Sequence, residues 1–299
     1  MLFGNEFESV TIEVMSGIVM QGRVTAQKQL PPLLLLHGHP QTHVIWHRVA
    51  PQLAQHFSLV MPDLRGYGDS SKPPSDAHHA TYSKRAMAHD LRALMAQLGY
   101  ERFQVLAHDR GARVAHRLAV DYPEAVERML LLDIAPTLAM YEQTSQAFAT
   151  AYWHWFFLIQ AAPFPENLIN ANPLAYLRKT MRAAVGEFDP HAWAEYERCI
   201  QNPETVRAIC EDYRAAASID LEHARADIAR QRWIECPLHV LWGKQGVIQQ
   251  CFDPLAEWRK LCRQPTQVTG GAIDCGHYIP EESPQRLVDA ALQFFTHSR

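Results

Sequence analysis

Five short apolar runs, each closed by a polar or glycine-containing turn, constrain this chain more than any other feature of its sequence. They are "PPLLLLHGHP", "FSLVMPDLRGYGDSSKP", "RFQVLAHDRGAR", "RMLLLDIAP" and "CPLHVLWG". A strand exposed on one face alternates apolar with polar residues, whereas unbroken apolar runs suit strands covered on both faces, as in a parallel sheet. Helix-like segments lie between them. Residues 82 to 98 repeat apolar side chains at helical intervals through Met87, Leu91, Leu94, Met95 and Leu98, and Gly99 ends the pattern. The expectation is an α/β fold with a mostly parallel sheet, helices on both faces, and ligand binding at the carboxyl ends of the strands. Those ends hold His37 to Pro40, Asp109 and Asp133.

The domain plan follows from where this alternation stops. From about 138 to 230 the chain reads as helices rich in Trp, Tyr, Phe, Ala and Arg, with breaks at "PFPENLINANP" and "FDP" and no strand-like run. Residues 1–137 and 231–299 are therefore expected to form one core, with 138–230 as an inserted helical cap. Composition supports a large core, with 47% hydrophobic and 20% charged residues. The net charge of -4 and scattered basic residues give nucleic acid no target. Six cysteines without CxxC spacing suggest free thiols in a reducing compartment. No run approaches the ~18 apolar residues of a membrane span, and the N-terminus lacks the pattern of a signal peptide, so the cytoplasm is the expected location.

The turn "LAHDRGAR" carries the chemistry. The nucleophile elbow of α/β-hydrolases needs small residues two places before and after the nucleophile, and Ala107 and Gly111 flank Asp109 in that way. Taken alone, Asp109 is more simply a helix N-cap. The rest of the chain reverses that reading, because the fold's order is nucleophile, acid, histidine. His277, in "DCGHYIPEESP", follows the last strand, and Asp133, in "LLLDIAP", ends the strand after Asp109. Gly246 stands near where an acid would be expected after the next strand. Asp253 and Asp274 are weaker candidates, Asp253 fitting a helix cap better. The backbone N–H groups of His39 and Arg110 are the expected oxyanion donors. His37, His39 and His43 lack the HExxH pattern and a Cys or Glu partner, so no metal and no cofactor are expected. "PDLRGYGDSSKP" is read as a structural turn.

With "HGHPQTHVIWHRVAPQLA", "PDLRGYGDSSKP", "HDRGARVAHRLAVDYP", "LDIAPT" and "YWHWFF", the chain from about residue 30 onward resembles the fluoroacetate (haloacetate) dehalogenases of the α/β-hydrolase superfamily. "DRGAR" together with "HW" in the cap is the specific part. The resemblance implies Asp109 as nucleophile, His277 as base and Asp133 as acid. It implies Arg110 and Arg113 as holders of the substrate carboxylate, and His154, Trp155 and Tyr213 as halide contacts. A small haloacid is then the substrate, and a homodimer is compatible with the relatives. Ala112 stands where glycine is frequent, which bears on substrate size.

The residue types suit that chemistry. Displacement of halide from a saturated carbon by a carboxylate leaves an ester that water can cleave, whereas a serine would leave an ether. An anionic substrate needs cations beside Asp109, and Arg113 lies one helical turn on, while Arg117 one turn further reads as an ion pair or solvated face. Trp153, Phe156 and Phe157 read as cap core. Among rivals, epoxide hydrolases also form an aspartyl ester, but they usually carry tryptophan after the nucleophile where this chain has Arg110. Haloalkane dehalogenases also act on neutral substrates. A non-catalytic carboxylate receptor would have no use for His277.

Overall fold

The computed structural model describes residues 2–27, 29–181 and 188–296. Among the described residues, eight strands form one sheet. Strands β1 (Phe7–Met15) and β2 (Ile18–Thr25) form an antiparallel hairpin, and β2 meets β4 (Ser58–Pro62) antiparallel. From there β4, β3 (Pro32–Leu36), β5 (Phe103–His108), β6 (Val126–Leu132), β7 (Leu238–Gly243) and β8 (Val268–Ile273) run parallel.

The unbroken apolar runs occupy the middle of this sheet for the reason given by their pattern. β5 is buried at every position and β3 from Leu33 onward, which needs cover on both faces. The edge hairpin is different: β2 alternates between buried and half-buried residues. The chain passes from β3 outward to β4 and then crosses to β5, so the topological switch point lies between β3 and β5. His39 and Asp109 follow those two strands, where ligands of such sheets bind.

Two helices position the switch point. Lys84–Gln97 starts where Ser83 Oγ accepts the Ala86 N–H at 3.2 Å, and it buries Met87, Leu91, Leu94 and Met95. Asp109–Asp121 begins directly at the end of β5 and is mostly buried. It lies so close to β3 that a Cβ on Gly111 would stand 2.4 Å from the His37 carbonyl oxygen and 2.6 Å from that of Leu36. Between β6 and β7 the regular elements of the described residues are helices, from Thr137–Glu142 to Ile219–Ala229, followed by an isolated bridge of Ile234 to Cys262. Among the described residues, no helix is long and apolar enough to cross a membrane.

The contact at Gly111 is backbone against backbone and cannot relax by moving a side chain. Gly111→Ala is therefore expected to cost at least about 2 kcal/mol, as overpacking of a closed core does. A urea melt reads this directly, and an unchanged midpoint would show that the helix has room to shift.

Candidate active site

Asp109 sits on a strained turn. β5 ends at His108 in extended backbone, and Asp109 follows at φ +45°, a conformation costing a non-glycine residue about 1–2 kcal/mol. Its carboxylate does not cap the helix it begins; Oδ1 accepts the backbone N–H of His39 at 3.0 Å. The loop after β3 comes this near because Gly38 has no side chain, since a Cβ there would lie 2.5 Å from Asp109 Cβ. The N–H of Arg110 belongs to the first helical turn, where backbone donors lack intrahelical partners. Burial alone would raise the Asp109 pKa. His277, Arg113, His108 and Arg110 outweigh that and hold the carboxyl ionised, well below the usual carboxylate range.

His277 lies in the loop after β8, and the carboxylate it meets is Asp133. Nδ1 is 2.5 Å from Asp133 Oδ2, while Asp133 Oδ1 accepts the Gly243 N–H at 2.9 Å. Asp133 is itself at φ +51°, directly after β6. Asp253 instead caps Pro254–Arg259 by accepting the Ala256 N–H at 3.0 Å, and Asp274 accepts from the Gln245 side chain. Gly246 closes the remaining position, for a Cβ there would stand 3.3 and 3.4 Å from the two Asp133 oxygens. Burial disfavours charge on His277, but the hydrogen bond and charge of Asp133, with the charge of Asp109, raise its pKa above the ordinary value. A residue not singled out in the sequence fixes the loop: Glu282 accepts the Gly276 N–H at 2.5 Å and the Tyr278 N–H at 2.7 Å, on either side of His277.

The two arginines are buried beside Asp109 and arranged differently from one another. Arg110 donates through Nε and Nη2 to the Asp212 carboxylate at 2.9 and 2.8 Å, and its guanidinium lies 4.0 Å from the centre of the Tyr213 ring. Arg113 has no such carboxylate clamp; it donates to the Ala135 carbonyl, Thr137 Oγ1 and Met140 Sδ, and lies 4.6 Å from the Trp155 ring centre. Arg110 Nη1, Arg113 Nε and Trp155 Nε1 are buried without a hydrogen-bond partner. Buried polar atoms are ordinarily paired, so each of these requires an explanation. All three are donors, and the rings interlock, with Trp155 and Tyr213 centroids 6.3 Å apart. Such a set suits an anion.

A cavity of about 480 Å³ opens over Asp109, lined by His39, Tyr152, His154, Gly246 and His277 among others. Arg110, Arg113, Trp155, Tyr213 and Ala112 lie outside that lining. Burial drives the His154 pKa well down, which keeps the ring neutral. The other histidines after β3 have separate duties: His37 Nε2 accepts the Leu64 N–H, His39 Nε2 meets Tyr176, and His43 pairs with Asp63. Arg117 pairs with Asp121 and Asp227, and it is buried, contrary to a solvated face.

Glu281 stands in the cavity wall, accepting from Tyr196 at 2.5 Å and Gln41 at 2.8 Å. Burial pushes its carboxyl up to about 7 from 4.5. Between those values the folded protein keeps a proton that the unfolded chain has released, so stability falls as pH rises through the window. Glu281→Gln removes this dependence. The fall in unfolding free energy from pH 4.5 to 7.5, read from urea melts, should be smaller in the variant than in the wild type by roughly 2–3 kcal/mol. Parallel pH profiles in the two proteins would show that Glu281 titrates normally.

Known proteins carry the same plan. The alpha/beta hydrolase fold family matches residues 31–284. The chain is 39% identical over 273 residues to the fluoroacetate dehalogenase of a Burkholderia species, spanning 90% of this chain and 88% of that protein. It is 34% identical over 281 residues to the soluble epoxide hydrolase of Corynebacterium sp. strain C12, spanning 90% and 91%. The crystal structure of ALR0039 from Nostoc sp PCC 7120, an alpha/beta hydrolase by its own description, matches over 100% of both chains with a TM-score of 0.93 and 50% identity. A sheet of this topology, a strained turn at its switch point, and these likenesses lead to one conclusion: the chain belongs to the α/β-hydrolases, among those of the haloacetate dehalogenase type.

Proposed function

We propose that this protein hydrolyses haloacetates to glycolate and halide through an ester on Asp109. The observation carrying the proposal is the set of three buried N–H groups without partners, on Arg110, Arg113 and Trp155, beside an ionised Asp109. An anionic nucleophile can meet an anionic substrate only where cations offset their repulsion, and guanidinium keeps its charge when desolvated.

In this reading the substrate carboxylate takes the free N–H groups of Arg110 and Arg113. Asp109 Oδ2 attacks the carbon bearing the halogen, and the carbon–halogen electron pair leaves with the halide. Trp155, His154 and Tyr213 donate to the departing ion, which matters most for fluoride, a poor leaving group. His277 then takes a proton from water, whose oxygen adds to the ester carbonyl of Asp109. The developing oxyanion sits at Oδ1, where the His39 N–H already points. Collapse breaks the Cγ–Oδ2 bond, the departing alkoxide takes the proton from His277 and leaves as glycolate, and the water oxygen stays on Asp109, whose carboxylate is restored as the second water proton passes to solvent.

The electrostatics suit that order of events. The charge of Asp109 contributes to raising the His277 pKa. Esterification removes that charge, so the ring gives up its proton more readily when a base is required. Asp133 keeps it oriented throughout.

Substituting His277→Asn should trap the intermediate: incubation with chloroacetate should add one carboxymethyl group, as an ester, to the peptide containing Asp109. An unmodified peptide from a variant whose wild type releases halide would sink the covalent route. Opening of a terminal epoxide in preference to halide release would favour the epoxide hydrolase alternative, to which the cap tyrosines Tyr152 and Tyr213 also lend themselves. Trp155→Phe removes one donor and should lower kcat on fluoroacetate about 100-fold, and on chloroacetate distinctly less. Equal losses on both substrates would count against a halide contact.

A further inference from the structure

Asp212 has no part in the reaction proposed above, yet it holds Arg110 from three directions. Its Oδ2 accepts from Arg110 Nε at 2.9 Å, its Oδ1 from Arg110 Nη2 at 2.8 Å, and its backbone carbonyl from the same Nη2 at 2.8 Å. The carboxylate is itself held, because Tyr67 Oη donates to Oδ2 at 2.7 Å and Lys84 Nζ donates to Oδ1. Lys84 is also 3.7 Å from Asp220 Oδ2, so its charge is shared between two carboxylates. Arg110 and Asp212 are completely buried, and Tyr67 and Lys84 nearly so. Tyr67 belongs to "PDLRGYGDSSKP", which places that turn in contact with the site and not merely near it.

A guanidinium is a rigid plane with five N–H groups. Here one face lies on Tyr213 and two of its three nitrogens are clamped by Asp212, which leaves Nη1 as the nitrogen without a partner. We infer that Asp212 is a positioning residue for the substrate carboxylate: it fixes Arg110 so that Nη1 alone is presented to the anion, with Tyr67 and Lys84 holding Asp212 in turn. The inference rests on the haloacetate reading and deepens it, because it makes the carboxylate end of the substrate the part that the buried network recognises.

Charge and position predict opposite signs, which makes the inference testable. A carboxylate in contact with Arg110 weakens the pull of that guanidinium on an anion, so by charge alone Asp212→Asn should tighten binding. By position it should loosen it, as a donor displaced by about 1 Å can lose on the order of 100-fold. The experiment measures acetate binding by calorimetry, and kcat and KM on chloroacetate and on chloroacetamide, its neutral counterpart. In Asp212→Asn, acetate affinity should fall and KM for chloroacetate rise by about 10- to 100-fold, with a smaller change in kcat. Chloroacetamide turnover should change far less. Tyr67→Phe alters no charge and should shift acetate binding in the same direction by a few fold; it carries the test where Asp212→Asn does not fold. Acetate bound as tightly or more tightly by the variants overturns the inference, and so does a parallel loss on both substrates, the mark of general structural damage. A wild type that binds no acetate and releases no halide overturns the haloacetate reading itself.

Discussion

The close approach of one helix to one strand governs this molecule. With only a hydrogen at position 111, Asp109–Asp121 lies against the carbonyls of Leu36 and His37. The carboxylate at its start is thereby brought to the loop after β3, where the His39 N–H meets it. The same helix carries Arg110 and Arg113, so nucleophile and cations are set by a single rigid element. Moving that helix would displace all three at once, and it would also disturb the strained backbone at Asp109, which persists because both sides of the turn are fixed.

Charge is organised in layers around that element. Nearest the cavity are Asp109 and His277, with Asp133 behind the imidazole and anchored by the Gly243 N–H. Deeper lie Arg110 with Asp212 and Lys84, a buried group in which each charge has an opposite partner. Removing one member of such a group leaves an uncompensated buried charge, which is far more costly than the net worth of the intact set. Arg113 is the exception. It is buried with neutral partners, so its positive charge remains available beside the nucleophile.

Much of this was legible in the residues because it is local or repeats with a period. The unbroken apolar runs marked β3 through β7 as interior strands, and the order of Asp109, Asp133 and His277 placed all three at strand ends. Gly246 was legible as a missing acid. Asp212 was not: it lies 102 positions from Arg110, on a helix whose apolar pattern says only that one face is buried. Its position beside Tyr213 in "CEDYR" was the available hint. Glu282 was hidden for another reason, since its bonds go to backbone N–H groups, which have no signature in side-chain chemistry.

The space at Gly246 ties two distant positions of the chain into one choice. A Cβ there would stand 3.1 Å from the Gly243 carbonyl oxygen and 3.3 and 3.4 Å from the Asp133 oxygens, so a side chain at 246 asks these neighbours to give by a few tenths of an ångström. Transfer of the acid from the end of β6 to the end of β7 would therefore involve both positions together. The first step, adding the new acid, crowds two like charges at one histidine; the alternative first step, losing Asp133, leaves that histidine without a partner. The two positions are coupled in this way: a substitution at either one changes what the other can hold.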